Sequence, residues 1–230
     1  MSIDRSLTLT LKLQKKRYEP FHVCEVGVYL PENSSVRPFI LRGKKATLVE
    51  ANPVMVDKIR TAFKDYPKAT VFPYAVADQP GKVTLYNRGA STFIDSVESP
   101  ALVNDHYSKS DQDRFEVEAK TFNQIDDGSI DLLCIDIEGA EWFVLSKLVS
   151  KPNLISVETH GKYYLNPKFK EIHEWMRSRG YQIWYKDKSD TVFVKAEFIH
   201  VSWLEKISMR LYSIFLWLRR MKGFIYRASK

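Results

Sequence analysis

Three carboxylates crowd into six positions at the end of an apolar run. Leu132, Leu133, Cys134 and Ile135 are followed by Asp136, Glu138 and Glu141, with Gly139 between the last two. An apolar strand that ends in acid and glycine and gives way to a helix is how open α/β sheets build ligand sites, in the crevice outside their carboxyl ends. Three acids so close would repel one another in a plain loop. A cation, a helix N-terminus or the donors of a ligand must offset them.

The same grammar recurs along the chain. FHVCEVG (21–27) is a short apolar strand ending in Glu25 and Gly27, and the spacing predicts a helix over 33–42. TLVEANP (47–53) is a second strand. Asn52 then caps a helix that has Pro53 at its first position and runs to about residue 64. ATVFPYAVA (69–77) is a third strand and KVTLY (82–86) an extra one. Residues 87–114 are polar and lack a period, which predicts a functional loop or lid. FEVEAKTF (115–122) reads as a strand, and DLLCIDIEG (131–139) as the fourth main strand. A helix over 140–149 carries Trp142, Leu145 and Leu148 on one face. NLISVET (153–159) is the fifth strand. Asn166-Pro167 opens a helix that closes at Gly180, and YQIWY and TVFVKA form a closing pair of strands. At the other end, LTLTLKL (7–13) alternates apolar and polar residues, which predicts an edge strand. Short strands alternating with helices mean a mostly parallel α/β sheet with right-handed crossovers. The domain is expected over 21–200, with an extension at 1–20 and a separate tail at 201–230.

Charge confirms that the tail stands apart. Residues 201–230 hold seven bases and one acid, +6 of the chain's net +7. The basic balance therefore belongs to the tail, and a nucleic-acid partner for the domain loses most of its support. Cys24 and Cys134 each lie in an apolar strand and lack metal-site spacing, so buried, reduced thiols are expected. No continuous apolar h-region begins the chain, so no secretory signal is expected and the location is read as cytoplasmic.

The strand ends carry the chemistry. Glu50 closes the second strand 25 positions after Glu25. In nucleoside-binding α/β folds an acid at this place accepts hydrogen bonds from ribose hydroxyls. The loop after Gly27, VYLPENSS, lacks the glycines that cradle a pyrophosphate. That disfavours a nicotinamide-dependent oxidoreductase and favours a nucleoside cofactor without a diphosphate, such as S-adenosylmethionine. A hydroxyl acceptor would also need a base, and Asp136, Glu158 and His160 are candidates, with His106 a weaker one. The acids could hold Mg²⁺ through carboxylate oxygens. The spacing Asp136, Glu138, Glu141 matches no metal loop, however, so no metal is expected.

The order of motifs resembles the FkbM family of S-adenosylmethionine-dependent methyltransferases. The matching pieces are CEVG (24–27), VEANP (49–53), YAVADQPGKVTLY (74–86), VEAKTFNQI (117–125), DLLCIDIEGAEWFVL (131–145) and ISVETH (155–160). The resemblance implies a class I methyltransferase fold, a Rossmann-like sheet with an antiparallel last strand. It puts Glu25 and Gly27 beside the methionine part of the cofactor, and Glu50 with Ala51 at the ribose. Tyr74, Ala75 and Val76 would lie near the adenine, and Asp136 at the reacting end. Glu138, Glu141 and Tyr163 would brace that end or face substrate. The chain departs from the family's usual pattern in having Glu25 where Asp is common, and in lacking a second glycine shortly after Gly27.

The tail supplies the last expectation. Leu204, Ile207, Leu211, Ile214, Leu218, Met221 and Ile225 recur at steps of three and four, one apolar face of a helix. Its longest uncharged run, Leu211 to Leu218, is far short of the roughly 20 residues that span a bilayer. A basic, aromatic-rich amphipathic helix over 202–226 reads as one lying on an anionic membrane surface. A homo-oligomer seam or a helix folded back on its own domain are the other readings. Together these features predict an O-methyltransferase acting on a hydroxyl of a sugar, glycolipid or surface polysaccharide at the inner face of a membrane. The alternative is a non-catalytic cofactor-binding or membrane-docking module built on a degenerate methyltransferase fold.

Overall fold

The computed structural model describes residues 5–161 and 163–228, with side chains over 7–161 and 163–221. In chain order the helices are α1 (Arg5–Lys15), α2 (Arg37–Ile40), α3 (Pro53–Ala62), α4 (Pro100–Asn104), α5 (Glu141–Ser146), α6 (Phe169–Ser178) and α7 (Trp203–Ala228). The strands are β1 (His22–Val26), β2 (Lys45–Val49), β3 (Ala69–Phe72), β4 (Ala75–Val76), β5 (Gly81–Tyr86), β6 (Phe93–Ile94), β7 (Arg114–Lys120), β8 (Leu132–Ile135), β9 (Leu154–Glu158), β10 (Tyr181–Lys186) and β11 (Asp190–Lys195).

Seven strands form the central sheet in the order β10-β11-β9-β8-β1-β2-β3. From β9 to β3 every pairing is parallel, while β11 runs antiparallel to both β9 and β10. This is the class I methyltransferase sheet, with its last strand inserted antiparallel beside its fifth. The order reverses at β1, which pairs with β2 on one side and β8 on the other. A crevice must open there, because successive crossovers leave in opposite directions.

Strand residues alternate between two apolar layers, as a twofold side-chain period requires. Val23, Leu132, Cys134 and Leu154 join Leu9, Leu13, Phe39, Ile59 and Trp184 on one face. Cys24, Leu133, Ile135 and Ile155 join Phe122, Val144, Leu145, Ile172 and Met176 on the other. Both cysteines are free and buried, one per layer, as expected.

Three sequence expectations give way. Residues 7–13 lie in helix α1 and not in an edge strand. Leucine at every second position also satisfies the i, i+4 spacing of a helix. Leu9 and Leu13 are buried at 4% and 1% exposure, while Leu7 and Leu11 are 51% and 47% exposed. The run 69–77 is broken at Pro73-Tyr74: β3 stays in the main sheet and β4 joins a second one. That smaller sheet has the order β4-β7-β5-β6, and of the segment 87–114 read as a loop it takes only Phe93–Ile94 and Arg114. β4 pairs parallel with β7, and β5 pairs antiparallel with both β7 and β6. The predicted helix over 33–42 is reduced to a 3-10 turn at Pro31–Asn33 and the four residues of α2.

Candidate active site

A cleft opens at the carboxyl ends of β1, β2 and β8, where the strand order reverses. It encloses about 590 Å³, open solvent included, and is lined by Gly27, Glu50, Ala51, Tyr74, Ala75, Val76 and Asp136 among others. Seven of the residues expected at the cofactor are thus brought together. The small sheet closes the cleft from above with Leu85, Phe93 and Ile94. Sequence reasoning missed this roof because β6 is only two residues long and shows no period.

Gly27 makes the floor possible. It sits at φ +89, and a Cβ built on it would lie 1.9 Å from the Asp136 carbonyl oxygen. The Asp136 N–H donates back to the Val26 carbonyl at 2.9 Å. The tips of β1 and β8 therefore pass at a distance only glycine permits.

Glu50 is held by the backbone of the loops around it. Its two oxygens accept from the Tyr29 N–H and the Asn52 N–H, both at 2.8 Å. Burial pushes its carboxyl above the usual range, and these donors oppose that. Each oxygen keeps a further lone pair for a hydroxyl donor. Asn52 also accepts from the Val54 N–H at 3.0 Å and starts α3 as expected.

Glu25 is placed otherwise. It is buried behind the cleft, accepting from Ser34 Oγ at 2.5 Å and the Ser35 N–H at 2.9 Å. Burial raises its carboxyl to about 7. Glu25 thus braces the turn at 31–35 and is not among the residues lining the cleft. Two serine-borne donors nine and ten residues on were the available signal.

The acids beyond β8 divide into two kinds. Glu141, at the start of α5, is fully buried and folds back on its own loop. One oxygen accepts from the N–H groups of Ile137 at 3.2 Å and Gly139 at 3.0 Å; the other accepts from Asn166 Nδ2 at 2.5 Å. It is a clamp on the turn rather than a group facing substrate. Gly139, at φ +107, packs so closely that a Cβ there would meet the Glu98 carbonyl at 2.2 Å. Asp136, Glu138 and Glu158 form the other kind: each offers a carboxylate oxygen, and all lie within 4.8 Å of one another. Burial pushes Glu158 well above the usual carboxylate range, reinforced by Asp136, Glu138, Glu141 and Asp190.

His160 is buried and both ring nitrogens are engaged. Nε2 lies 3.1 Å from the Asp187 carbonyl, which can only accept, so Nε2 carries the proton. Nδ1 then accepts from Thr159 Oγ1 at 2.9 Å. Burial lowers its pKa to about 4. This neutral, doubly bonded imidazole has no lone pair left for an acceptor's proton, so the base candidates narrow to the carboxylates. His106 is exposed, two residues past the end of α4. Tyr163 is half-buried, and its N–H donates to Asn104 Oδ1 at 3.0 Å, as does that of Tyr164. Asn104 thereby ties the loop after β9 to α4, a role no sequence signal announced.

An acid at the tip of the second strand, an apolar slot under a roof, and a third acid at the tip of the fourth strand suit a nucleoside with a reacting centre some distance from its ribose. The residues fit S-adenosylmethionine: Glu50 for the ribose hydroxyls, Val76, Leu85 and Ile94 for the base, Asp136 at the far end. When bound, that cofactor supplies an electrophilic methyl group. Sheet order and site together define a class I methyltransferase.

The chain belongs to the FkbM methyltransferase family: the model of the methyltransferase FkbM domain matches residues 25–183. It is an S-adenosylmethionine-dependent methyltransferase. Among solved structures it is similar to a protein from Staphylococcus aureus assigned as a caffeoyl-CoA O-methyltransferase (13% identity, 85% of this chain and 84% of that one, TM-score 0.49). It is also similar to a ribosomal protein L11 methylase from Lactobacillus delbrueckii subsp. bulgaricus (11% identity, 85% and 80%, TM-score 0.45). A TehB-like S-adenosylmethionine-dependent methyltransferase from Corynebacterium glutamicum shares 9% identity over 85% and 89%, with a TM-score of 0.42. Likeness at this level says nothing about substrate. No curated protein matches the chain.

Proposed function

We propose that the protein transfers a methyl group to a hydroxyl oxygen of a sugar, glycolipid or surface polysaccharide while docked on a membrane surface. The observation that carries the oxygen acceptor is the carboxylate rim beyond Asp136. A hydroxyl must lose a proton as it attacks, and Asp136 with the carboxylates beside it supplies acceptors for it. Holding that hydroxyl in line with the methyl group supplies much of the rate. Glu158 and Asp136 are the candidate bases, and Tyr163 lies on the loop beside them.

α7 supports the membrane part. Its inner side packs on β10: Tyr212 Oη donates to the Asp187 carbonyl at 3.0 Å and Leu216 is buried. Its outer side leaves Trp203, Leu204, Leu211, Ile214, Trp217 and Leu218 exposed. Lys206, Arg210 and Arg219 are interspersed with this stripe, a composition suited to anionic headgroups. Phe224, Ile225 and Tyr226, which continue the sequence pattern, have side chains outside the described residues. Among the described residues no helix is long and apolar enough to cross a membrane.

Calorimetry of the full chain with S-adenosylhomocysteine tests the cofactor half. Glu50→Ala should weaken binding by on the order of 100-fold, about 3 kcal/mol, because it removes the ribose acceptor. Absence of binding by the parent protein would sink the reading. For the membrane half, changing Trp203, Leu211 and Trp217 to Ser should end sedimentation with anionic liposomes and leave cofactor affinity unchanged. Equal pelleting of that variant would remove the docking assignment. Mass shifts of cell-surface glycans in cells lacking the gene would identify the acceptor.

A further inference from the structure

We infer that the ends of β8 and β9 form a binding site for a hard divalent cation of the Mg²⁺ or Mn²⁺ kind, held by Asp136, Glu138 and Glu158. The inference rests on the methyltransferase reading and gives that site a means of holding its acceptor. Three observations converge. Each of the three residues offers a carboxylate oxygen, and these oxygens lie within 4.8 Å of one another. Glu158 is only 6% exposed, yet its Oε2 has no hydrogen-bond partner. Leaving such an oxygen buried and unmatched costs about 1–3 kcal/mol, more if it is charged. Glu138 holds a left-handed backbone at φ +57 without being glycine. Strain of this kind persists where the surroundings over-determine a functional geometry.

The donor set chooses the ligand. Oxygen donors alone suit Mg²⁺, Mn²⁺ or Ca²⁺, not the softer ions that seek nitrogen or sulfur. His160, the nearest imidazole in sequence, spends both nitrogens elsewhere. Glu141, which the sequence groups with Asp136 and Glu138, is withdrawn into its clamp, and Glu158 from the neighbouring strand takes its place. That exchange is why the linear spacing resembles no metal loop. Mg²⁺ holds few protein ligands and keeps open positions for substrate oxygens. Asp136 also lines the cofactor cleft. A cation at this place therefore faces the reacting end and can hold adjacent hydroxyls of an acceptor. A coordinated hydroxyl loses its proton to a carboxylate or to water, forms its O–CH3 bond as the S–CH3 bond breaks, and leaves the electron pair on sulfur as a neutral thioether.

The probe is Mn²⁺, followed by calorimetry and electron paramagnetic resonance on the full chain with S-adenosylhomocysteine present. The parent should bind one Mn²⁺, and Mg²⁺ should compete for it. Glu158→Gln should weaken Mn²⁺ at least tenfold while S-adenosylhomocysteine affinity stays within twofold. If Glu158→Gln fails to fold, as judged by near-ultraviolet dichroism, Glu138→Gln takes its place with the same expectation. No Mn²⁺ bound by the parent at millimolar concentration, or equal binding by the variant, overturns the cation site. Failure of the parent to bind S-adenosylhomocysteine overturns the methyltransferase reading instead, so the two failures are distinguishable.

Discussion

The rim of β1 and β2 and the rim of β8 and β9 both end in acids, yet they solve the problem of burying them differently. On the first, each carboxylate is matched by donors of the loop that follows a strand: Ser34 and Ser35 for Glu25, Tyr29 and Asn52 for Glu50. On the second, Glu141 is matched in the same way, while Asp136, Glu138 and Glu158 each bring a carboxylate oxygen within 4.8 Å of the others. A rim that satisfies its own charges is pre-shaped for a cofactor that needs only a few hydroxyl contacts. A rim that gathers three carboxylates, with Glu158 Oε2 buried and unpartnered, is suited to take up a proton or a cation. Under the proposed function the first rim recognises the cofactor and the second faces the reacting end.

The comparison can be broken most severely at its shared point. Gly27→Ala would drive a methyl group into the Asp136 carbonyl at a positive φ. The expected loss of stability is about 3 kcal/mol or more, with cofactor binding abolished, measured by urea unfolding and calorimetry. An unchanged unfolding midpoint would show that the two tips are not in the contact described.

A second test reads the pH dependence of the first rim. Glu25 in the folded protein titrates near 7, above the ordinary 4.5. Between those values the native state holds a proton that the unfolded chain has released, so stability falls as pH rises through about 4.5 to 7. For this fully buried group the whole effect is about 3 kcal/mol. His160 and His173, lowered by burial to about 4, act oppositely between 4 and 6.5. The informative quantity is therefore the difference between parent and Glu25→Gln, which should grow in favour of the variant as pH rises to 7. A difference flat in pH would contradict the placement of Glu25 behind the cleft.

The smallest effect is expected at the helix start. Asn52→Ala removes the acceptor for the Val54 N–H and should cost about 1 kcal/mol, with cofactor affinity changed only modestly. A loss as large as that of Glu50→Ala would mean that Asn52 contacts the ligand directly.

The strand tips were legible because their signal is local. An apolar run followed by an acid and a glycine or proline needs no knowledge of distant residues, and Gly27, Glu50 and Asp136 all reached the cleft from such runs. What the sequence hid depends on partners far along the chain. The alternating leucines of residues 7–13 satisfy two periods, and only the burial of Leu9 and Leu13 decides between them. His160 read as a candidate base because Asp187, its acceptor, lies 27 positions away. Glu141 and Glu158 exchange roles because Asn166 comes back to one and not to the side chain of the other. The small sheet was half legible: β5 and β7 were expected as strands, while β4 and β6 are two residues each, too short to carry a pattern.

One contact described by neither rim bears on how the molecule is made. α1 shares its apolar layer with Trp184, Ile199 and Val201, and the Lys12 ammonium lies over the Trp184 and Tyr185 rings. Lys16 pairs with Glu205 at 2.7 Å, 189 residues away. During synthesis α1 emerges well before Trp184, Ile199, Val201 and Glu205, which form half of its seat. Its apolar side must wait in solvent, or against a chaperone, until those residues follow, and its docking is a long-range closure.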